Sequence, residues 1–127
     1  MPGKRVLIVD DHPVNRKLPA MLLRGQDWIC DEASNGLEAL DMLAHNRYDA
    51  VLLDISMPEL SGDEVCRRIR ANDHTRDLLV IAYTAHALDD ARAAIQAAGF
   101  DALLTKPINK QGLLDALATV RHQEKNP

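Results

Sequence analysis

Short strand-like runs that alternate with helix-like segments constrain the fold of this chain more than any other feature. The runs lie at residues 5–9, 28–33, 50–53, 78–83 and 102–105. Apolar runs of this length are typical of parallel strands that are buried on both faces of a sheet. The alternation predicts an α/β fold: a doubly wound (βα)5 domain with right-handed crossovers. We expect a five-stranded parallel sheet of order 2-1-3-4-5, whose switch point lies between strands one and three.

Polar residues suited to phosphoryl or metal chemistry follow four of these runs. Asp10 and Asp11 follow the first strand, and Asp54 follows the third. Thr84 follows the fourth strand, and Lys106 follows the fifth. The carboxyl ends of parallel strands line up along one edge of the sheet, where ligands bind. We therefore expect three carboxylates, a hydroxyl and an ammonium to converge on one site.

The chemistry of such a group favours a hard cation. Three adjacent carboxylates repel one another and resist joint ionisation, and a divalent cation relieves this. Oxygen ligands with open water positions favour Mg²⁺. A central aspartate can attack phosphorus as a nucleophile, while the metal and an ammonium offset charge on the transferring oxygens. Taken singly, each motif is also compatible with a helix cap or a surface turn.

The first helix is expected to begin near Pro13 and to stop at Gly25, with Pro19 loosening its middle. Its apolar positions are Val14, Leu18, Met21 and Leu22. We expect the second helix to follow Asn35, with Leu37, Leu40 and Leu43 on one face. Ser61 and Glu64 predict a capping box for the third helix. A fourth helix is expected at about 88–98 and a fifth after Asn109.

Composition excludes several classes of function. The 127 residues suffice for one domain, which we place at 1–127 with a core at about 4–122. A net charge of −4 argues against direct nucleic-acid binding. No apolar run approaches the ~20 residues of a membrane span, and the N-terminus does not resemble a signal peptide. The isolated Cys30 and Cys66 predict buried thiols in a reducing, cytoplasmic location, and the histidines lack zinc-ligand spacing.

Several segments together resemble a known family. They are Val9-Asp10-Asp11 and four further short motifs, at residues 53–58, 61–62, 83–85 and 104–107. On these motifs, nearly the whole chain resembles the receiver domain of two-component response regulators, which has a flavodoxin-like fold. The segments 11–18 and 84–87 look most like receivers from hybrid sensor histidine kinases.

The resemblance implies a phosphorelay function, in which Asp54 accepts a phosphoryl group from a phosphohistidine. The donor would be a histidine kinase or a histidine phosphotransfer domain, and the output would pass to a partner protein. Asp11, Asp54 and the backbone carbonyl of Ser56 would hold Mg²⁺, with Asp10 acting through water. Such a domain is not an enzyme with a separate substrate, because it promotes its own phosphorylation and dephosphorylation.

The resemblance also assigns the remaining site residues. Thr84 and Lys106 would grip the phosphoryl group, and the bond between Lys106 and Pro107 would be cis. His86 would modulate the lifetime of the phosphoryl group. Leu103 stands where many receivers carry an aromatic residue, so the usual output mechanism is not expected.

Three other functions remain to be weighed against this interpretation. An aspartate-nucleophile phosphohydrolase usually needs an acid two residues after the nucleophile, where this chain has Ser56. A flavodoxin-like electron carrier needs a phosphate-cradling loop that residues 11–13 do not provide. A receiver-like docking module that is never phosphorylated differs from the leading interpretation only in its response to a phosphodonor.

Overall fold

The computed structural model describes residues 4–55, 57, 60–84, 95–106 and 108–118. Its elements follow one another as a strand–helix alternation, as predicted. They are β1 (Arg5–Val9), α1 (Pro13–Arg24), β2 (Ile29–Ala33), α2 (Gly36–His45), β3 (Ala50–Asp54), α3 (Gly62–Ala71), β4 (Leu79–Thr84), the helical residues 95–98 (α4), β5 (Ala102–Thr105) and α5 (Lys110–Leu117). Most of the predicted fourth helix lies outside the described residues.

The strands form one parallel sheet of order β2-β1-β3-β4-β5, which confirms the predicted fold class and topology. β3 and β4 pair so that Asp54 lies beside Tyr83. β4 and β5 pair so that Thr84 lies beside Thr105. This register brings the carboxyl ends of the central strands to one edge of the sheet, next to the residues that follow β1 and β5.

A hydrophobic core covers each face of the sheet, because successive strand residues point to opposite sides. Leu7, Val9 and Leu53 pack on the face covered by α2, α3 and α4. Ile8 and Tyr83 pack on the other face, with buried residues of α1 and α5. Both cysteines are buried and unpaired, as expected, and burial raises the pKa of the Cys66 thiol to about 11.

Helix α1 leaves three of its large apolar residues exposed. Val14, Leu18 and Met21 are 70%, 40% and 66% exposed. The buried residues of the helix are Pro19, Ala20 and Leu23. Leu22 is partly buried and packs against the same core, whereas Val14, Leu18 and Met21 face solvent. On α2, Leu37 is likewise exposed, whereas Leu43 is buried.

Helix α1 begins at Pro13 and α3 begins directly after Ser61, as predicted. The side chains of Asn35 and Asn109 accept backbone hydrogen bonds at the starts of α2 and α5, as predicted. Ser61 stands at the start of α3, but its side chain makes no cap, so the predicted capping box was wrong. Its hydroxyl is engaged by Asp63 instead, and Glu64 pairs with arginines of the same helix.

Candidate functional site

Three carboxylates meet at the edge where the central strands end, as the sequence predicts. Asp10 and Asp11 follow β1, and Asp54 is the last residue of β3. One carboxylate oxygen from each lies within 4.8 Å of the other two. The side chains of Asp10 and Asp54 are almost fully buried, and Asp11 is partly exposed. Ionised carboxylates this close together repel strongly, so the site needs positive charge.

Asp10 is held by donors on both of its oxygens. Its Oδ1 accepts a hydrogen bond from the backbone N–H of His12 at 2.9 Å. Its Oδ2 accepts one from the Tyr83 hydroxyl at 2.7 Å and one from Lys106 Nζ at 3.0 Å. Burial raises the pKa of Asp10, but these hydrogen bonds and the Lys106 charge outweigh it, and the pKa lies below its usual value. Asp10 therefore remains ionised at neutral pH.

Lys106 provides an ammonium beside two of the carboxylates. Its Nζ lies 3.0 Å from Asp10 Oδ2 and 3.7 Å from Asp54 Oδ1. The same nitrogen lies 4.6 Å from the centroid of the Tyr83 ring. The backbone N–H of Lys106 donates to the carbonyl of Thr84 at 2.8 Å, and Thr84 is itself buried. All five residues that the sequence places at this edge are thus neighbours.

Asp11 supplies the clearest sign that the site suits a cation. Its Oδ1 is buried and has no hydrogen-bond partner among the described residues. Leaving a buried charged oxygen without a partner is costly, and a metal ion with oxygen ligands removes that cost. The donor set consists of carboxylate oxygens, which Mg²⁺ prefers. The residues present therefore fit this ion.

Gly62 packs against the backbone of the central aspartate. A Cβ at this position would clash with the carbonyl oxygen of Asp54 and would lie 2.7 Å from Cα of Ile55. The backbone N–H of Gly62 donates to the carbonyl of Ile55 at 3.1 Å. The first residue of α3 therefore closes directly onto the end of β3, and only glycine fits this close approach.

Sequence reasoning missed two residues that support the site. Burial and the hydrogen bond to Asp10 raise the pKa of Tyr83 well above its usual value, so its hydroxyl stays protonated. Arg16 donates to the backbone carbonyl of Asp10 at 2.7 Å and to Glu32 Oε1 at 2.9 Å, which ties α1 to β2. Because side chains alternate along a strand, the sequence predicts that Tyr83 lies on the same face of the sheet as Ile81. Its contact with Asp10, however, depends on the register between distant strands.

The other predicted site residues lie outside the described part of the chain or away from the carboxylates. Ser56, His86 and Pro107 lie outside the described residues, so their assigned roles stay predictions. Leu103 is partly buried and packs with the core on the α2–α4 side of the sheet, beside Ala82 of β4. Among the described residues, no helix is long and apolar enough to cross a membrane.

Residues 6–118 match the family model of the response regulator receiver domain. The chain belongs to this receiver family. It is therefore a signalling domain of the kind found in two-component systems.

The relatives of this receiver include long and short proteins. It is 38% identical over 113 residues to the sensor histidine kinase RcsC of Salmonella typhi, covering 89% of this chain but only 12% of the kinase. It is 36% identical over 114 residues to the polar-differentiation response regulator DivK of Brucella anthropi, covering 90% of this chain and 93% of DivK.

One solved structure is informative about the site. It is the receiver domain of the sensor histidine kinase PA1611 from Pseudomonas aeruginosa, which has a magnesium ion coordinated in its active-site cleft. The TM-score is 0.85 at 33% identity, and the match covers 92% of this chain and 96% of that one.

Proposed function

We propose that this receiver accepts a phosphoryl group on Asp54 from a phosphohistidine and switches or relays the signal to a partner protein. The observation that carries the proposal is the position of Lys106, whose ammonium lies 3.7 Å from Oδ1 of the buried Asp54. A carboxylate oxygen of Asp54 would bond to phosphorus as the phosphorus–nitrogen bond breaks and the imidazole leaves. The Lys106 ammonium and the Thr84 hydroxyl would then bind the phosphoryl oxygens.

Mg²⁺ is the cofactor that this site fits. We propose that Asp11, Asp54 and the backbone carbonyl of Ser56 hold it, with Asp10 acting through water. The unpartnered Oδ1 of Asp11 supports a direct ligand role there, and the occupied oxygens of Asp10 support an indirect one. When bound, the ion offsets negative charge on the transferring oxygens.

The exposed apolar face of α1 is the docking surface that we propose for the phosphohistidine partner, a histidine kinase or a histidine phosphotransfer domain. Val14, Leu18 and Met21 share this face at helical spacing, and α1 begins two residues after Asp11. Clustered exposed apolar side chains are typical of interaction sites. A partner seated there would bring its histidine close to the carboxylates.

A phosphorylation assay tests the acceptor. Acetyl phosphate with Mg²⁺ should add one phosphoryl group to the protein, as measured by intact mass. Asp54→Asn, or addition of EDTA, should abolish the mass increase. A full mass increase in either control would refute the assignment of Asp54 or of the metal. A parent protein that stays unmodified would favour a docking module that is never phosphorylated.

A paired substitution tests the docking surface. Met21→Glu should slow phosphotransfer from a phosphorylated histidine phosphotransfer domain, while leaving phosphorylation by acetyl phosphate unchanged. Leu37→Glu is the matched control, because Leu37 is an exposed apolar residue of α2 and lies outside the proposed surface. Equal transfer rates in the two variants would refute docking on α1.

We also propose that residues 1–127 form a single receiver domain, with a core at about 4–122, that works in the cytoplasm. It would neither insert into membranes nor bind nucleic acid directly. It would promote its own phosphorylation and dephosphorylation, with His86 affecting the second. Its likeness to part of RcsC supports an origin in a hybrid histidine kinase.

A further inference from the structure

The buried hydroxyl of Tyr83 and the ammonium of Lys106 share one acceptor, a carboxylate oxygen of Asp10. Among the described residues, Lys106 provides the only ammonium at the acidic cluster. The Tyr83 hydroxyl donates to Asp10 Oδ2 at 2.7 Å, and Lys106 Nζ donates to the same oxygen at 3.0 Å. The ring of Tyr83 also lies 4.6 Å from that nitrogen. Tyr83 therefore touches both the acid and the base of this ion pair while lying beside Asp54 in the sheet.

We propose that Tyr83 is a positioning residue whose hydroxyl keeps Asp10 in place when Lys106 leaves it for the phosphoryl group on Asp54. This inference rests on the proposed function. Lys106 Nζ lies 3.0 Å from Asp10 Oδ2 and 3.7 Å from Asp54 Oδ1, so a phosphoryl group on Asp54 would compete with Asp10 for the ammonium. Asp10 is fully buried, and an unpaired buried carboxylate is costly. The N–H of His12 holds only Oδ1, so Tyr83 supplies the donor for Oδ2.

The direction of the effect follows from the sharing of Oδ2. Before phosphorylation the hydroxyl is one of two donors to this oxygen, so its removal is partly compensated by Lys106. After Lys106 has moved, the Tyr83 hydroxyl is the one protein donor that the described residues leave on this oxygen. Its removal then costs more, because the acceptor is a buried charge. Tyr83→Phe should therefore disfavour phosphorylation.

The chain contains a matched control in its other tyrosine. The Tyr48 hydroxyl donates to Asp31 Oδ2 at 2.7 Å, and the Arg5 guanidinium lies 5.5 Å from the Tyr48 ring. Arg5 of β1, Asp31 of β2 and Tyr48, which precedes β3, thus assemble the same three kinds of group away from the carboxyl edge. Tyr48→Phe removes an equivalent hydrogen bond without touching Asp10.

The kinetic test compares the parent, Tyr83→Phe and Tyr48→Phe with acetyl phosphate at saturating Mg²⁺. In this reaction an Asp54 oxygen bonds to phosphorus, the bond from phosphorus to the acetate oxygen breaks, and acetate leaves with its electron pair. Tyr83→Phe should react about fivefold to tenfold more slowly, as expected for one hydrogen bond to a charged group. Its Mg²⁺ affinity, measured by calorimetry without phosphodonor, should change less than twofold. Tyr48→Phe should match the parent in both quantities.

A spectroscopic experiment tests the same proposal on protein in which Tyr83 is unchanged. Protein labelled with ¹³C at tyrosine Cζ gives two signals, and their assignment follows from the signal that Tyr48→Phe loses. On phosphorylation the Tyr83 signal should shift as Lys106 leaves its ring and its acceptor. The Tyr48 signal should stay in place.

The outcomes separate this inference from the proposed function. A phosphorylated parent with an equal rate in Tyr83→Phe, or with a static Tyr83 signal, refutes the role of Tyr83 alone. A loss of Mg²⁺ affinity that parallels the loss of rate also refutes it, because the hydroxyl would then only hold the site together. A parent that acetyl phosphate cannot modify refutes the proposed function and this inference with it.

Discussion

Replacing Asp54 with Asn should stabilise the protein without metal and destabilise it, relative to the parent, with Mg²⁺. The Asn side chain keeps the shape of the site but removes one of three carboxylates whose oxygens lie within 4.8 Å of one another. At an effective dielectric constant of about 20, each repulsion with Asp10 or Asp11 amounts to about 3.5 kcal/mol at 4.8 Å. The lost attraction to Lys106 at 3.7 Å amounts to about 4.5 kcal/mol.

The two repulsions that the substitution removes, with Asp10 and Asp11, thus exceed the attraction to Lys106 that it loses. Because Asp11 is partly exposed and screened, we expect a net stabilisation of about 2 kcal/mol in the absence of metal. Mg²⁺ makes the parent more stable than the variant, because a ligand at a hundred times its dissociation constant stabilises the folded parent by about 2.7 kcal/mol. The variant lacks one metal ligand and should gain less.

Urea unfolding measured in EDTA and in Mg²⁺ tests both signs. With a slope of about 2 kcal/mol/M, the expected stabilisation in EDTA moves the midpoint upward by about 1 M. Asp31→Asn is the control: Asp31 accepts hydrogen bonds from Arg5 and Tyr48, so its loss should lower stability equally in both buffers. A midpoint below that of the parent in EDTA, or an equal response of Asp54→Asn and the parent to Mg²⁺, would refute this electrostatic account.

Three further substitutions test other parts of the site. Lys106→Met should slow phosphorylation by acetyl phosphate at least about tenfold, since the ammonium meets the phosphoryl group. Its Mg²⁺ affinity, measured by calorimetry, should not fall, and a fall would contradict this role. Gly62→Ala should lower the free energy of unfolding by about 1–3 kcal/mol, because the added Cβ overpacks against Asp54. An unchanged urea midpoint would show that the helix shifts freely. Leu103→Tyr should change phosphotransfer from a phosphotransfer domain less than twofold, and a large loss would show that this face takes part in output.

The fold and the place of the site were predictable from strand patterns. Buried parallel strands leave a strong signal in sequence, and their carboxyl ends must share one edge. That rule alone brings Asp10, Asp54 and Lys106 together without any knowledge of side-chain packing. The bounds of β1 and β5 are those expected from sequence, β2 and β3 each differ by one residue at one end, and β4 differs by one residue at both ends.

What the sequence could not supply depends on contacts between distant elements. Apolar spacing on α1 suggests burial of Val14 and Met21, but a helix buries the face whose shape fits the sheet. The hydrogen bond from Tyr83 to Asp10 spans 73 positions in the chain and depends on how β4 lies against β1 across β3. The Ser61 side chain makes no cap because its hydroxyl donates to Asp63, whose carboxylate also accepts from the Glu64 N–H that a cap would bind.

The way in which α1 is seated separates two kinds of constraint on its residues. Pro19, Ala20 and Leu23 hold the helix against the sheet, so changes there disturb the whole domain. Val14 and Met21 face outward, and substitutions at such positions usually alter stability by only about 0.5 kcal/mol. Changes to the outer face are therefore limited by partner binding more than by folding stability. Receivers can thus differ in their binding partners while they keep the same scaffold and the same acidic site.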